Sequence, residues 1–400
     1  MINRDYYLDK LVKAQDNDFI KIITGIRRCG KSTLLMLFKE HLLNSGIKEE
    51  QIIEINYEKY SFATLKDEAK LNEFVAAMIK QKPAKYYLLI DEIQELPCWA
   101  KVINSMRVSF PLDIYVTGSN SRVFSGEYLT YITGRYIEIK VYPLSLEEFI
   151  RFRNSASQTV AANFNDYLRL GSFPATALAN GEDLIEAINA GLFESIFNRD
   201  ILARGQIRDE GNFYKVAKYI FDNIGNSVSI NSISNTLKSA GSKISVDAID
   251  NYLKLMCNAF VLYQCERYDI RGRERLRTNG KYYATDLGMR NRLLGYRNDN
   301  MGHVLENLVF LELKRRGYEV SVGKIGTLEI DFIAVKGNSK IYLQVAASAI
   351  EDSVLKREYA PFYLVKDNNP KILLTMDETD LSYDGFKHLN LLNFLLGADL

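Results

Sequence analysis

The sequence predicts an α/β fold built on a parallel sheet, and three observations point there. Strand-like and helix-like segments alternate through residues 1–143, a glycine-rich loop at Gly25–Thr33 stands between a strand and a helix, and a later apolar strand ends in the adjacent acids Asp91 and Glu92. Alternation of this kind puts helices on both faces of a parallel sheet, and such sheets bind ligands at the carboxyl ends of their strands.

Phe19–Thr24 reads as the first buried strand, followed by Gln51–Ile55, Tyr86–Ile90, Asp113–Thr117 and Tyr136–Val141. Between the first two, Ser32–Asn44 carries Leu34, Leu35, Leu37, Phe38 and Leu42 at helical spacing. The intervening Gly25-Ile26-Arg27-Arg28-Cys29-Gly30-Lys31-Ser32-Thr33 has glycine, four residues, then glycine-lysine-serine, the spacing of a phosphate-binding loop. Its glycines allow a tight turn and a close approach of backbone N–H groups to phosphate oxygens. Lys31 is expected against the β- and γ-phosphates and the Ser32 hydroxyl on Mg²⁺, with the helix N-terminus adding its dipole.

The run Tyr86-Tyr87-Leu88-Leu89-Ile90 delivers Asp91 and Glu92 to the same edge. Asp91 suits Mg²⁺ binding and Glu92 suits polarising an attacking water. The fourth strand runs into Thr117-Gly118-Ser119-Asn120, where a polar side chain, Asn120 in particular, either senses the γ-phosphate or caps a helix. Arg135, just before the fifth strand, reads as an arginine finger or as a structural arginine.

Total charge is nearly balanced, 51 Lys+Arg against 50 Asp+Glu, which excludes a uniformly basic nucleic-acid coat but not a local patch. Cys29, Cys98, Cys257 and Cys265 show no paired metal-ligand spacing; with no signal-peptide pattern, they read as reduced thiols of a cytoplasmic protein. The apolar runs are too short to span a bilayer, so no membrane partner is expected.

Residues 144–210 read as a helical lid, with Leu146–Arg153, Asn163–Leu170 and Leu184–Leu202 at helical spacing; within the last, Arg199-Asp200 reads as a salt-bridging pair or as reaching the nucleotide. Residues 211–297 read as a separate winged helix-turn-helix, in which two helices precede a hairpin bearing Arg271, Arg273, Arg275, Arg277 and Lys281. The locally positive hairpin suits double-stranded DNA phosphates, or else docks a protein. Residues 298–400 restart an α/β pattern, with Glu306 on an apolar helix over Gly302–Arg316 and Asp331 in the strand Leu328–Val335. Those two acids suit a second, weaker Mg²⁺ site or are a surface glutamate and a strand-edge aspartate.

On these stretches, together with Leu88–Gln94, Gly134-Arg135, Tyr142-Pro143-Leu144-Ser145 and Gln344-Val345-Ala346, the chain resembles AAA+ P-loop ATPases of the bacterial and archaeal branch with a C-terminal region of unknown function. The resemblance implies ATP and Mg²⁺ as cofactors and a sheet order of 5-1-4-3-2. It also implies that Arg135 faces a neighbouring subunit of a homo-oligomer. The last hundred residues are similar to the restriction-endonuclease-like fold, with Gly302-x-x-x-Glu306 and Asp331 matching its acids and Gln344-Val345-Ala346 standing where acid-x-lysine is usual. That departure implies a degenerate fold kept for binding, with Gln344 as a poor third metal ligand. Lys324 and Lys356 are candidates for the missing amine, and their spacing gives no support for it. The expected function is Mg²⁺-dependent ATP hydrolysis coupled to a DNA- or protein-binding half. The alternatives are an ATP-controlled binding switch with little turnover and an ATP-gated nuclease.

Overall fold

The computed structural model describes residues 2–79, 84–121, 130–154, 158–272, 274–297 and 300–400, with the backbone alone for 275–279. The chain divides into two compact units, Met1–Pro143 with Asn258–Phe260, and Leu144–Cys257 with Val261–Leu400.

The first unit is a five-stranded sheet: β1 (Ile20–Thr24), β2 (Ile52–Asn56), β3 (Tyr86–Asp91), β4 (Leu112–Gly118) and β5 (Tyr136–Lys140). The order is β2-β3-β4-β1-β5, with every pairing parallel. Helices α1 (Asp5–Lys13), α2 (Lys31–Asn44), α3 (Glu68–Met78) and α4 (Trp99–Ser109) accompany it. β1, β3 and β4 are buried along their whole length, as central strands covered on both faces must be. One core cluster gathers Ile22, Ile53, Leu88, Ile90, Ile114 and Trp99. Burial of such side chains contributes roughly 1.5–3 kcal/mol apiece, and that anchorage holds the strand ends steady. The register pairs Thr24 with Gly118 and Ile90 with Val116, so the phosphate loop, the acids after Ile90 and the polar stretch after Thr117 leave the sheet at one edge.

The second unit opens with α5 (Leu146–Arg153), α6 (Val160–Leu170), α7 (Pro174–Leu178) and α8 (Glu182–Glu194). The helix expected to run on to Leu202 changes at Ser195 to a π-helical stretch through Ala203. There Asp200 is buried 3.5 Å from Arg204, which answers the pairing expectation for Arg199-Asp200 with a different arginine. Next come α9 (Glu210–Asp222), α10 (Ile230–Ser239), α11 (Val246–Asn258) and the antiparallel hairpin of β6 (Leu262–Asp269) and β7 (Glu274–Ala284). Then follow α12 (Leu287–Leu294), α13 (Met301–Arg315), β8 (Glu319–Ile325), β9 (Leu328–Lys336), β10 (Ser339–Val345), α14 (Asp352–Leu364), β11 (Lys371–Thr375), β12 (Lys387–Asn390) and α15 (Leu391–Leu395).

The hairpin within 211–297 joins the strands that follow it. All seven strands form one sheet, in the order β12-β11-β10-β9-β8-β6-β7. β6 pairs with β8 in parallel from Arg267↔Val322 to Asp269↔Lys324, so the sheet takes strands from both sides of residue 297. The cause is general: a two-stranded hairpin is marginal alone, and its open edge is satisfied by a third strand.

Candidate functional site

The loop between β1 and α2 has the backbone its residues demand. Gly25 has φ 145°, and a Cβ there would lie 2.1 Å from the Val141 carbonyl oxygen, so no other residue fits without moving β5's end. Gly30, at φ 102°, starts α2 with no side-chain cap and no acid in the first turn, which leaves that helix end complementary to an anion. Arg28 also adopts a left-handed conformation, φ 64°.

Lys31 is buried, and its ammonium donates to the carbonyls of Gly25 and Ile26 at 3.0 Å each. Two further contacts brace the loop. Arg4, buried beside α1, donates to the Cys29 carbonyl at 2.8 Å, and Arg27 pairs with Glu58 at 2.8 Å. Burial pushes the Cys29 thiol above its ordinary range, against the positive charges of Lys31 and Arg4.

β3 brings Asp91 to this loop. Its carboxylate accepts from the Thr117 hydroxyl at 2.5 Å and from the Asn56 amide at 3.1 Å, and Ser32 lines the same cavity. Burial raises the Asp91 carboxyl above its ordinary range, opposed by the Thr117 and Ser32 hydrogen bonds and reinforced by the charge of Glu92. A cavity of about 100 Å³ is lined by Ser32, Lys39, Asn56, Lys59 and Asp91 among others. A buried carboxylate beside a hydroxyl, raised by desolvation and opening on a cavity, is a donor set that suits a hard divalent cation.

Glu92 sits in the left-handed region, φ 59°, a strained conformation for a non-glycine residue that costs on the order of 1–3 kcal/mol and is characteristic of functional sites. Its amide donates to the Thr117 hydroxyl at 2.9 Å. Its carboxylate accepts from Ser119 at 3.3 Å and from the Gln94 amide. Thr117 therefore ties both acids to β4. Asn120 is buried directly after that strand and the adjacent Ser119.

Arg135 lies elsewhere. It is exposed, its guanidinium 3.5 Å from Asn104, and its carbonyl accepts from Ile20 at the start of β1. The loop leaves the other end of β1, so Arg135 is at the sheet edge opposite its own phosphate loop.

In the second unit, Glu306 and Asp331 are brought together around Lys281, and Gln344 is engaged by the Asp331 backbone and Glu358. Its carbonyl oxygen accepts from the Asp331 amide at 2.7 Å and its amide donates to Glu358 at 3.2 Å. Among the described residues no group of three or more His, Cys, Asp or Glu is arranged to hold a metal ion. Lys356 pairs with Asp352, and Lys324 is in register with Glu329; the amine that reaches the acids is Lys281. Of the hairpin cations, Arg271 is exposed, while Arg273 and the side chains of Arg275 and Arg277 lie outside what is described. Among the described residues no helix is long and apolar enough to cross a membrane.

Arg4, Asn56 and Gln94 were not singled out from the sequence as members of this site; Asn56 reaches Asp91 only through the register of β2 with β3, and Arg4 meets the loop from the start of α1.

Residues 17–150 match the family model of the AAA domain, and residues 161–300 match a domain of unknown function. An uncharacterized protein of Haemophilus influenzae is 41% identical over 401 residues, covering 99% of each chain. An uncharacterized protein of Methanocaldococcus jannaschii is 29% identical, covering 97% of this chain and 89% of its own. Among solved structures, the Aeropyrum pernix ORC1 protein in complex with DNA is 11% identical, covers 73% of this chain and 92% of that one, and superposes with a TM-score of 0.32.

Proposed function

We propose that this chain, which belongs to the same family as the Haemophilus influenzae protein and matches the AAA domain over residues 17–150, binds and hydrolyses ATP with Mg²⁺ at the loop Gly25–Thr33. One observation supports the reading: Ser32 and Asp91, 59 positions apart, line one cavity, and the Lys31 charge acts on the Asp91 carboxyl. Lys31 is assigned to the β- and γ-phosphates, for which its ammonium would exchange the Gly25 and Ile26 carbonyls. Ser32 and Asp91 would hold Mg²⁺, which supplies charge neutralisation between phosphate oxygens. Glu92, steered by Ser119 and Gln94, orients the water and accepts its proton as the oxygen bonds to the γ-phosphorus and the bond to the ADP oxygen breaks. Asn120 and an Arg135 contributed by a neighbouring subunit are assigned to γ-phosphate sensing and charge stabilisation in trans.

The succession α9, α10, α11, β6, β7 supports a winged-helix reading of the second unit, which we assign to binding double-stranded DNA through its basic hairpin. The β8–β12 sheet with α13 and α14 supports a restriction-endonuclease-like platform without nuclease activity. Steady-state hydrolysis, measured across protein concentrations with and without duplex DNA, tests the whole reading. Turnover that rises with concentration and responds to DNA supports it. Tight ATP binding with negligible turnover throughout would instead favour a nucleotide-controlled switch.

A further inference from the structure

A second cluster of ionisable groups lies where β7, β9 and α13 meet. The Lys281 ammonium is 2.8 Å from Glu306 Oε1, 2.8 Å from Glu329 Oε1 and 3.7 Å from Asp331 Oδ1, and its side chain is only 4% exposed. Glu329 and Asp331 are two apart on β9 and so share a face. Tyr283, on the same face of β7 as Lys281, donates to Glu306 Oε1 at 2.5 Å. Asp331 Oδ2 accepts from the Val345 amide at 2.8 Å, and the Glu306 side chain is within 3.6 Å of His303.

Carboxylates gathered in a poorly solvated place need a cation among them. A divalent metal would supply one through oxygen bonds at roughly 2.0–2.6 Å. Here the oxygens of Glu306 and Glu329 stand at hydrogen-bond distance from an amine instead, and no space for an ion separates them from it. The lysine is well placed to persist. Ala284, three residues on, exchanges two hydrogen bonds with the buried Asn307 of α13, at 2.7 and 2.9 Å, which fixes β7 against the helix that carries Glu306.

We propose that Lys281 is a tethered cation that fills the Glu306–Glu329–Asp331 cluster in place of a divalent metal, so that the native chain takes no metal and cleaves no phosphodiester there. The cluster's resident cation is the chain's own amine, and with that amine in place the three acids are not arranged to hold a metal ion. This stands apart from the ATP assignment and shares no residue with it.

The test is Mn²⁺ binding to the full-length chain, counted by electron paramagnetic resonance of the free ion. Lys281→Ala should bind one Mn²⁺ more than the wild type, and Lys281→Ala/Glu306→Gln should return to the wild-type count. Glu306→Gln alone should leave the wild-type count unchanged, since the cluster holds no metal to lose. If Lys281→Ala melts below the assay temperature, Mn²⁺ should raise its melting temperature by several degrees more than the wild type's. A Glu306-dependent Mn²⁺ in the wild type, Asp331-dependent nicking of plasmid by the wild type, or a folded Lys281→Ala that gains no ion would each overturn the proposal.

Discussion

Two acidic sites in this chain use the same residue types to opposite ends, and the position of the nearest lysine separates them. At the phosphate loop, Asp91 is held by the neutral donors Thr117 and Asn56, while the Lys31 ammonium rests on the Gly25 and Ile26 carbonyls. In the second unit, the Lys281 ammonium lies directly on Glu306 and Glu329. The electrostatics follow that difference. Burial lifts the Asp91 carboxyl with only hydrogen bonds and the Lys31 charge to oppose it. In the second cluster burial and the Glu306 charge lift Asp331 to about 8, while Lys281, with His303 and Tyr283, overcomes burial at Glu306 and holds it below the ordinary carboxylate range. The first site is poised to gain a cation; the second already has one.

The largest effect that sharpens this contrast is on turnover. Glu92→Gln should retain ATP binding and lower kcat by about 10²–10⁴-fold, the usual worth of a positioned base. Single-turnover hydrolysis beside equilibrium binding checks it, and an unchanged kcat removes Glu92 from the chemistry. Next in size is stability at the filled cluster. Lys281→Ala without added metal should cost about 3–5 kcal/mol, because it leaves buried carboxylates with no counter-charge. Denaturant unfolding checks this, and a cost near zero would mean the cluster is solvated. Tyr283→Phe removes one hydrogen bond to Glu306 and should cost only ~1–2 kcal/mol in the same measurement. Smallest is Arg271→Ala, where loss of one exposed phosphate contact should weaken duplex binding evenly across sequences and flatten its salt dependence by about one unit of slope. Fluorescence anisotropy at several salt concentrations reads it.

The two sites were not equally legible in the sequence. The phosphate loop is local, and Gly25, Gly30, Lys31 and Ser32 declare it by spacing alone. Asp91 and Glu92 are nearly as plain, because an apolar run such as Tyr86–Ile90 has few reasons to end in paired acids. Thr117 and Ser119 stood in a stretch singled out for polarity, but their grip on Asp91 and Glu92 depends on β3 and β4 being neighbours in register. Asn56 reaches Asp91 for the same reason from β2. Lys281 was hidden altogether. In sequence it is one more cation of a basic hairpin, and its partners lie 25 to 50 positions downstream on a helix and a strand that only the seven-stranded sheet brings to it. A boundary was expected at 297 because an α/β pattern restarts there, while the hydrogen-bond ladder from β6 to β8 links strands on either side of it.

The account depends above all on Lys31, Ser32 and Asp91 acting on one ligand. Equilibrium binding of a fluorescent ATP analogue, with and without Mg²⁺, to the wild type, Lys31→Ala and Asp91→Asn addresses that directly. The wild type should bind, more tightly with Mg²⁺ than without; Lys31→Ala should lose binding, and Asp91→Asn should lose the Mg²⁺ enhancement. Equal affinity in all three proteins, or an Mg²⁺ response undiminished in folded Asp91→Asn, would contradict it.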